Sequence, residues 1–171
     1  MNAQRVLDTF LDLVRIDSPS TKEAGVARYC ADALRACGCE VEFDQGGLDA
    51  GSDTGNIYAV LPGTAPGSVI FTAHMDCVPP CGGVEPIITD GVIHTDASTV
   101  LGGDDKVGDA AIIEAVRSLV EGDEPYCTVK IVLTVQEEIG CCGAKALSAG
   151  DFEPDEPCFV FDMDGNPGGV T

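Results

Sequence analysis

The chain contains no tryptophan, and aromatic residues make up only 5% of its 171 positions. At 44% hydrophobic it can still bury a core, but that core must consist mainly of alanine, valine, isoleucine and leucine. No apolar stretch approaches the roughly 20 residues that a membrane-spanning helix needs. The N-terminus lacks a basic segment followed by an apolar run, so we expect no signal peptide. The sequence therefore predicts one globular domain that does not cross a membrane.

Positive charge is also scarce. Lysine and arginine total 9 against 29 aspartates and glutamates, which gives a formal net charge of −20 and a pI of about 4.1. Such a surface repels nucleic acid and anionic membranes, whereas it concentrates cations. The simplest interpretation of most of these carboxylates is a solvated acidic surface.

The nine cysteines do not form a recognisable disulfide framework, since their number is odd and no secretory signal accompanies them. Four of them lie inside apolar periodic segments, where we expect small buried hydrophobes: Cys30, Cys37, Cys127 and Cys158. The pairs Cys77/Cys81 and Cys141/Cys142 are conceivable zinc ligands, but neither has the C-x-x-C spacing of a structural zinc site. We expect a reduced, cytoplasmic protein.

Histidine is rarer still, and one of the two histidines lies in a suggestive position. The apolar run from Ile70 ends at His74, and Asp76 follows two residues later. On an extended chain these two side chains point to the same side, so the carboxylate can orient the imidazole. On its own this pair is a weak signal. The other histidine, His94, falls in a predicted hairpin, and we expect it to be a surface residue.

Apolar periodicity predicts alternating helices and short strands. Helices are expected at about 3–15, from Thr21 as N-cap to about 37, from Asp104 and Asp105 to about 119, and at 144–149. Strands are expected at 39–43, 56–61, 68–73, 128–135 and 157–161, with a hairpin over 86–95. This alternation favours an α/β fold with a mostly parallel sheet flanked by helices.

Possible metal ligands lie at the ends of three of these strands. His74 follows the strand at 68–73, Glu137 and Glu138 follow the strand at 128–135, and Asp162 and Asp164 follow the strand at 157–161. If the three strands are parallel neighbours, their carboxyl ends meet at one edge of the sheet, where ligands bind in such folds. Asp104 and Asp105, at a helix start, could join them.

One histidine and several carboxylates suit a divalent ion such as Zn²⁺, Mn²⁺ or Co²⁺. Two such ions bridged by a carboxylate would polarise a carbonyl and supply a hydroxide, and a nearby free glutamate would move the proton. Each acidic pair taken alone is more often a solvated strand end or helix start, so the prediction depends on their joint placement.

Four ordered motifs add a family resemblance. They are His74-Met-Asp76, Leu101-Gly-Gly-Asp-Asp-Lys-Val-Gly108, Gln136-Glu-Glu-Ile-Gly140 with Gly143-Ala144, and Asp164-Gly165. Together they resemble the motifs of the di-zinc exopeptidase family that includes peptidase T, carboxypeptidase G and aminoacylase, and they are most similar to the peptidase T-like (tripeptide aminopeptidase) branch.

The resemblance implies a role for each matching residue. His74, Asp104, Glu138 and Asp164 would be metal ligands, with Asp104 bridging the two ions and its bond to Asp105 in cis. Asp76 would orient His74, and Glu137 would be the general base. Asp105, Lys106 and Asp162 are expected to be structural. The implied substrates are short peptides.

The family's chains are longer, because they insert a lid or dimerisation domain and then supply one more histidine ligand. We therefore expect residues 1–171 to be the N-terminal portion of a catalytic domain, from a full-length protein that could be a homodimer. Two alternatives stay open: a non-catalytic, partly metal-binding fragment, and an acidic α/β binding domain with no metal.

Overall fold

The structure is a computed structural model that describes residues 1–148, 152–153 and 155–163. Its helices are α1 (Ala3–Val14), α2 (Ala24–Ala36), α3 (Gly46–Asp49), α4 (Gly103–Glu121) and α5 (Cys142–Lys145). Its strands are β1 (Glu40–Phe43), β2 (Ile57–Leu61), β3 (Ser68–His74), β4 (Ile87–Thr89), β5 (Val92–His94), β6 (Thr128–Thr134) and β7 (Cys158–Val160).

A five-stranded mixed sheet in the order β1-β2-β6-β3-β7 forms the centre of the fold. β3 pairs in parallel with β6 on one side and with β7 on the other, so the three strands predicted to carry the acidic residues are parallel neighbours. β1 and β2 instead run antiparallel, and β2 pairs antiparallel with β6. The expected α/β fold is confirmed, with the parallel part confined to β6, β3 and β7 because β2 returns against β6.

The helices pack on the sheet and on one another around an aliphatic core. Asn2 caps α1 by accepting hydrogen bonds from the amides of Gln4 and Arg5, and α1 packs on α4. Aliphatic side chains dominate the core, as the lack of tryptophan predicts. No helix in the described part of the chain is both long enough and apolar enough to cross a membrane.

The start of α2 differs from the prediction. Thr21 does not cap the helix, because its φ of 77° puts it in the left-handed region and its amide donates to the carboxylate of Glu23. The helix begins instead at Ala24. The predicted helix over 144–149 is a shorter one at Cys142–Lys145, and its last predicted residue lies outside the described ranges.

A partly buried ion pair joins α1 to α4 at Glu114, ten residues along α4 from Asp104. The side chain of Glu114 has no solvent exposure, and its oxygens accept from Arg5 Nε and Nη2 at 2.8 Å and from the amide of Asn2 at 2.6 Å. Hydrogen bonds from Arg5 lower the pKa of Glu114 from 4.5 to about 2, although burial opposes this. Arg5 also contacts the exposed Glu121.

We predict that Glu114→Gln destabilises the protein in a pH-dependent way. The folded-state pKa of Glu114 is depressed, so its contribution is fully present above pH 4.5 and is lost as the pH falls towards 2. At pH 6 the free energy of unfolding should fall by about 1–3 kcal/mol, as for a hydrogen bond to a charged group. Urea unfolding at pH 6, 4 and 3 should show the difference from wild type shrinking.

The matched control is Glu121→Gln, which removes the exposed partner of the same arginine and should change stability much less than Glu114→Gln does. A difference for Glu114→Gln that stays constant from pH 6 to pH 3 would contradict this assignment.

Candidate metal centre

The carboxyl ends of the three parallel strands bring the predicted site residues to one edge. His74 is the last residue of β3 and is paired with Thr134, the last residue of β6. The chain leaving β6 continues directly into Glu137 and Glu138, and β7 leads into Asp162. The first turn of α4 supplies Asp104 at the same edge.

Asp76 is the hydrogen-bonding centre of this edge. Its carboxylate is fully buried and accepts from the amides of Glu137 at 2.8 Å and Glu138 at 3.2 Å, and from Ser20 Oγ at 2.6 Å. Burial alone would raise the pKa of Asp76, but hydrogen bonds from His74, Ser20 and Glu137 outweigh it and lower the pKa. The carboxylate therefore stays ionised and fixes the backbone of both glutamates.

Asp76 also determines how the His74 ring is presented. His74 Nδ1 lies 3.0 Å from the backbone oxygen of Asp76 and 3.3 Å from its Oδ1. Both neighbours are acceptors, so Nδ1 carries the hydrogen and Nε2 is left to face outward. Nε2 lies 3.0 Å from Asp104 Oδ1 and 3.9 Å from Glu137 Oε2.

The surroundings of His74 strongly favour positive charge. Burial alone would lower its pKa, but the hydrogen bond to Asp76 and the charges of Asp105 and Asp76 raise that pKa to about 10. A ring only 2% exposed and surrounded by carboxylates is a place where either a proton or a metal cation is stabilised.

The neighbouring residues Asp104 and Asp105 differ in exposure: the carboxylate of Asp104 faces solvent and that of Asp105 is buried. Their peptide bond is cis, and the side chain of Asp104 is 71% exposed towards the site. Asp105 is buried, accepting from the amides of His74 at 3.3 Å and Gly108 at 3.2 Å. Burial raises the pKa of Asp105 to about 7, despite the opposing charge of His74. A Cβ at Gly108 would clash with the Asp105 carboxylate, so a larger residue there would displace this side chain.

A tight turn after β6 presents the two glutamates. Gln136 has a φ of 55°, and its backbone oxygen accepts from the amide of Cys142 at 3.0 Å. Glu137 Oε1 accepts from the thiol of Cys141 at 3.2 Å. Partial burial and then the charge of Asp104 raise the pKa of Glu138. The turn therefore places one glutamate against a thiol and the other beside Asp104.

Among the described residues there are two groups of possible metal ligands, and within each group the ligand atoms all lie within 4.8 Å of one another. One is His74, Asp104 and Glu138, and the other is His74, Asp105 and Asp162. An imidazole nitrogen with carboxylate oxygens is the donor set that zinc, manganese and cobalt accept, so these residues fit a divalent ion chemically.

The structure therefore brings together five of the six predicted site residues: His74, Asp76, Asp104, Glu137 and Glu138. The sixth, Asp164, lies outside the described residues. Asp162, expected to be structural, falls in the second group. The sequence carried a signal for it, since Asp162 follows β7 more closely than Asp164 does. His94 is exposed, as predicted, and the nine cysteines are free thiols. The expectation that four of them are buried holds only for Cys30, because Cys37 and Cys127 are half-buried and Cys158 lies on the exposed strand β7.

A histidine–carboxylate cluster at the carboxyl edge of parallel strands is an arrangement typical of metal-dependent hydrolases. Comparison with known proteins gives the family. The model of Peptidase family M20/M25/M40 matches residues 70–170, and the chain belongs to this family.

Relatives match almost the whole chain. It is 37% identical over 171 residues to the uncharacterized protein YqjE of Bacillus subtilis, covering 99% of this chain and 46% of YqjE. The crystal structures of aminopeptidase PepT from Bacillus cereus and of a tripeptidase from Staphylococcus aureus superpose with TM-scores of 0.91 and 0.89 at 37% and 34% identity. Each match covers 96% of this chain and 44% of the other. The chain thus spans about half the length of the curated relatives it matches.

We predict that Asp76→Asn and Asp104→Asn affect stability very differently, although both residues lie at the site. The amide group introduced by Asp76→Asn can accept at only one oxygen, so a buried donor loses its partner and the free energy of unfolding should fall by about 1–3 kcal/mol. Asp104 is exposed, so its change should stay within about 0.5 kcal/mol. Urea unfolding of the metal-free variants measures both values. Equal losses would contradict the central role of Asp76.

Proposed function

We propose that the protein carrying this chain is a metal-dependent exopeptidase that hydrolyses short peptides in the manner of a tripeptide aminopeptidase. The observation that carries the proposal is the convergence of a ring nitrogen of His74 with carboxylate oxygens of Asp104 and Glu138, all within 4.8 Å of one another. Family membership and the likeness to a tripeptidase and to PepT support peptide hydrolysis as the reaction class.

In this proposal His74, Asp104 and Glu138 would hold two divalent ions, and Asp104 would be the ligand common to both. Zinc suits the donor set best, and manganese or cobalt also fit. When bound, the ions act as Lewis acids that polarise the scissile carbonyl and make a water more acidic.

Two residues of the chain handle the proton of the attacking water: Glu137 transfers it, and Asp76 holds Glu137 in position. Glu137 Oε2, which lies on the His74 side of the carboxylate, takes a proton from the attacking water and returns it to the leaving amine. Asp76 holds the Nδ1 hydrogen of His74 and fixes the amide of Glu137, so ring and base keep their relative positions.

A cavity of about 420 Å³ beside Asp104 and Glu138 offers space for part of a peptide. Its wall includes the apolar side chains of Val78, Val100 and Leu101. A peptide side chain can pack there while the carboxylates face the bond to be cleaved.

We also propose that residues 1–171 form part of a catalytic domain. The remaining elements that recognise substrate, and a further histidine ligand, would belong to the half of the relatives that has no counterpart here. The second candidate is a metal-binding chain without catalysis, and the observation that favours it is that this sequence has only two histidines, of which His94 is exposed.

Metal binding and hydrolysis separate these candidates. We expect isothermal titration with Zn²⁺ to show binding that Asp104→Asn and Glu138→Gln weaken by more than about tenfold, whereas Glu137→Gln leaves it unchanged. Hydrolysis of a tripeptide should fall by about 10²–10⁴-fold in Glu137→Gln, because the base is removed.

Binding without any hydrolysis would favour the non-catalytic candidate. Hydrolysis that survives Glu137→Gln would overturn the base assignment, and a wild-type chain that binds no divalent ion would overturn the metal site itself.

The further carboxylate ligand can be assigned by comparing two variants. Asp162 lies within reach of His74, so we propose it as the ligand in place of Asp164, the residue that the family resemblance favours. Zn²⁺ affinity should fall more than about tenfold in Asp162→Asn and stay within about twofold in Asp164→Asn. The reverse order would overturn this assignment and make Asp164 the ligand.

A further inference from the structure

Glu23 is a second buried carboxylate that contacts the turn carrying the glutamates. Its side chain has no solvent exposure. Oε1 accepts from the amide of Gln136 at 3.1 Å and from the amide of Thr21 at 2.8 Å, while Oε2 accepts from Ser52 Oγ at 2.5 Å. Both oxygens are therefore engaged, and the orientation of the carboxylate is fixed.

The hydrogen bond between Glu23 and Gln136 is one of three from consecutive backbone amides of the turn. The amides of Gln136, Glu137 and Glu138 are consecutive, and each donates to a buried carboxylate: the first to Glu23 and the next two to Asp76. Gln136 also has the left-handed φ that redirects the chain after β6. A non-glycine residue keeps such a conformation only where its surroundings hold it there.

Glu23 reaches this turn from a distant part of the sequence. It lies immediately before α2, 113 positions from Gln136, and is held from the other side by Ser52. Charge-assisted hydrogen bonds to a buried carboxylate are stronger than neutral ones, so this contact sets the position at which the strand ends and the turn begins.

We infer that Glu23 is a positioning residue that, through the amide of Gln136, sets where Glu137 and Glu138 lie relative to His74. This inference rests on the proposed function, since it assigns Glu138 to a metal and Glu137 to the proton. Glu23 itself is not in either group of possible metal ligands among the described residues.

The test compares Glu23→Ala with the isosteric Glu23→Gln, whose amide oxygen still accepts from Gln136. Glu114→Ala is the control, because it removes an equally buried carboxylate that lies away from the site. Three measurements do not depend on catalytic activity. They are amide hydrogen exchange at Gln136 in the metal-free chain, the affinity for Co²⁺, and the visible absorption spectrum of bound Co²⁺.

For Glu23→Ala we expect faster exchange at Gln136, Co²⁺ affinity lower by about 10–100-fold, and a changed absorption spectrum. Glu23→Gln should restore the spectrum and bring the affinity to within about threefold of wild type. Glu114→Ala should leave the spectrum and the affinity unchanged, even though it lowers stability. If Glu23→Ala does not fold, Glu23→Asp, which keeps the charge but is too short to reach Gln136, takes its place under the same criteria.

Wild-type Co²⁺ affinity and spectrum in Glu23→Ala or Glu23→Asp would overturn the inference and leave the metal site standing. An identical spectral change in Glu114→Ala would also overturn it, because any loss of stability would then produce the effect. A wild-type chain that takes up no Co²⁺ would overturn the proposed function, and the inference with it.

Discussion

The buried carboxylate of Asp76 is the interaction on which the candidate site depends. It receives the amides of Glu137 and Glu138 and lies beside His74 Nδ1, so it connects the end of β3 with the turn after β6. An ionised group without solvent exposure is costly unless hydrogen bonds compensate it, and here the donors are the backbone of the functional residues themselves. Any arrangement that satisfies Asp76 also brings the histidine and both glutamates together.

Much of this edge could be predicted from the sequence, because short apolar strands and the acids that follow them are local patterns. The pairing of β6, β3 and β7 in parallel turned the end of each strand into a site position. The predictions that depended on distant partners were weaker. Thr21 looked like an N-cap, but its amide is engaged by Glu23, and that carboxylate is fixed by Gln136 and Ser52 far along the chain.

Asp162 illustrates a different limit. Residues two apart on an extended chain point to the same side, so the pattern alone could not choose between Asp162 and Asp164 as the group nearest His74. The family resemblance favoured the later residue through its Asp-Gly motif, whereas the geometry places the earlier one within reach of the histidine. A motif encodes order along the chain and not distance from the histidine, so by itself it does not identify which of the two residues is the ligand.

Repulsion among carboxylates explains why adjacent acids at this edge have different roles. In a chain with a net charge of −20, solvated and unpaired carboxylates would separate from one another. Asp105 instead points inward and accepts from the amides of His74 and Gly108, so the strand end and the helix start are tied together. Asp104 can then remain 71% exposed, because its neighbour supplies the structural contacts. Asp76 does the same for the two glutamates after β6. A buried carboxylate nearby thus fixes the backbone of each of these more accessible acids, which under the proposed function bind the cation.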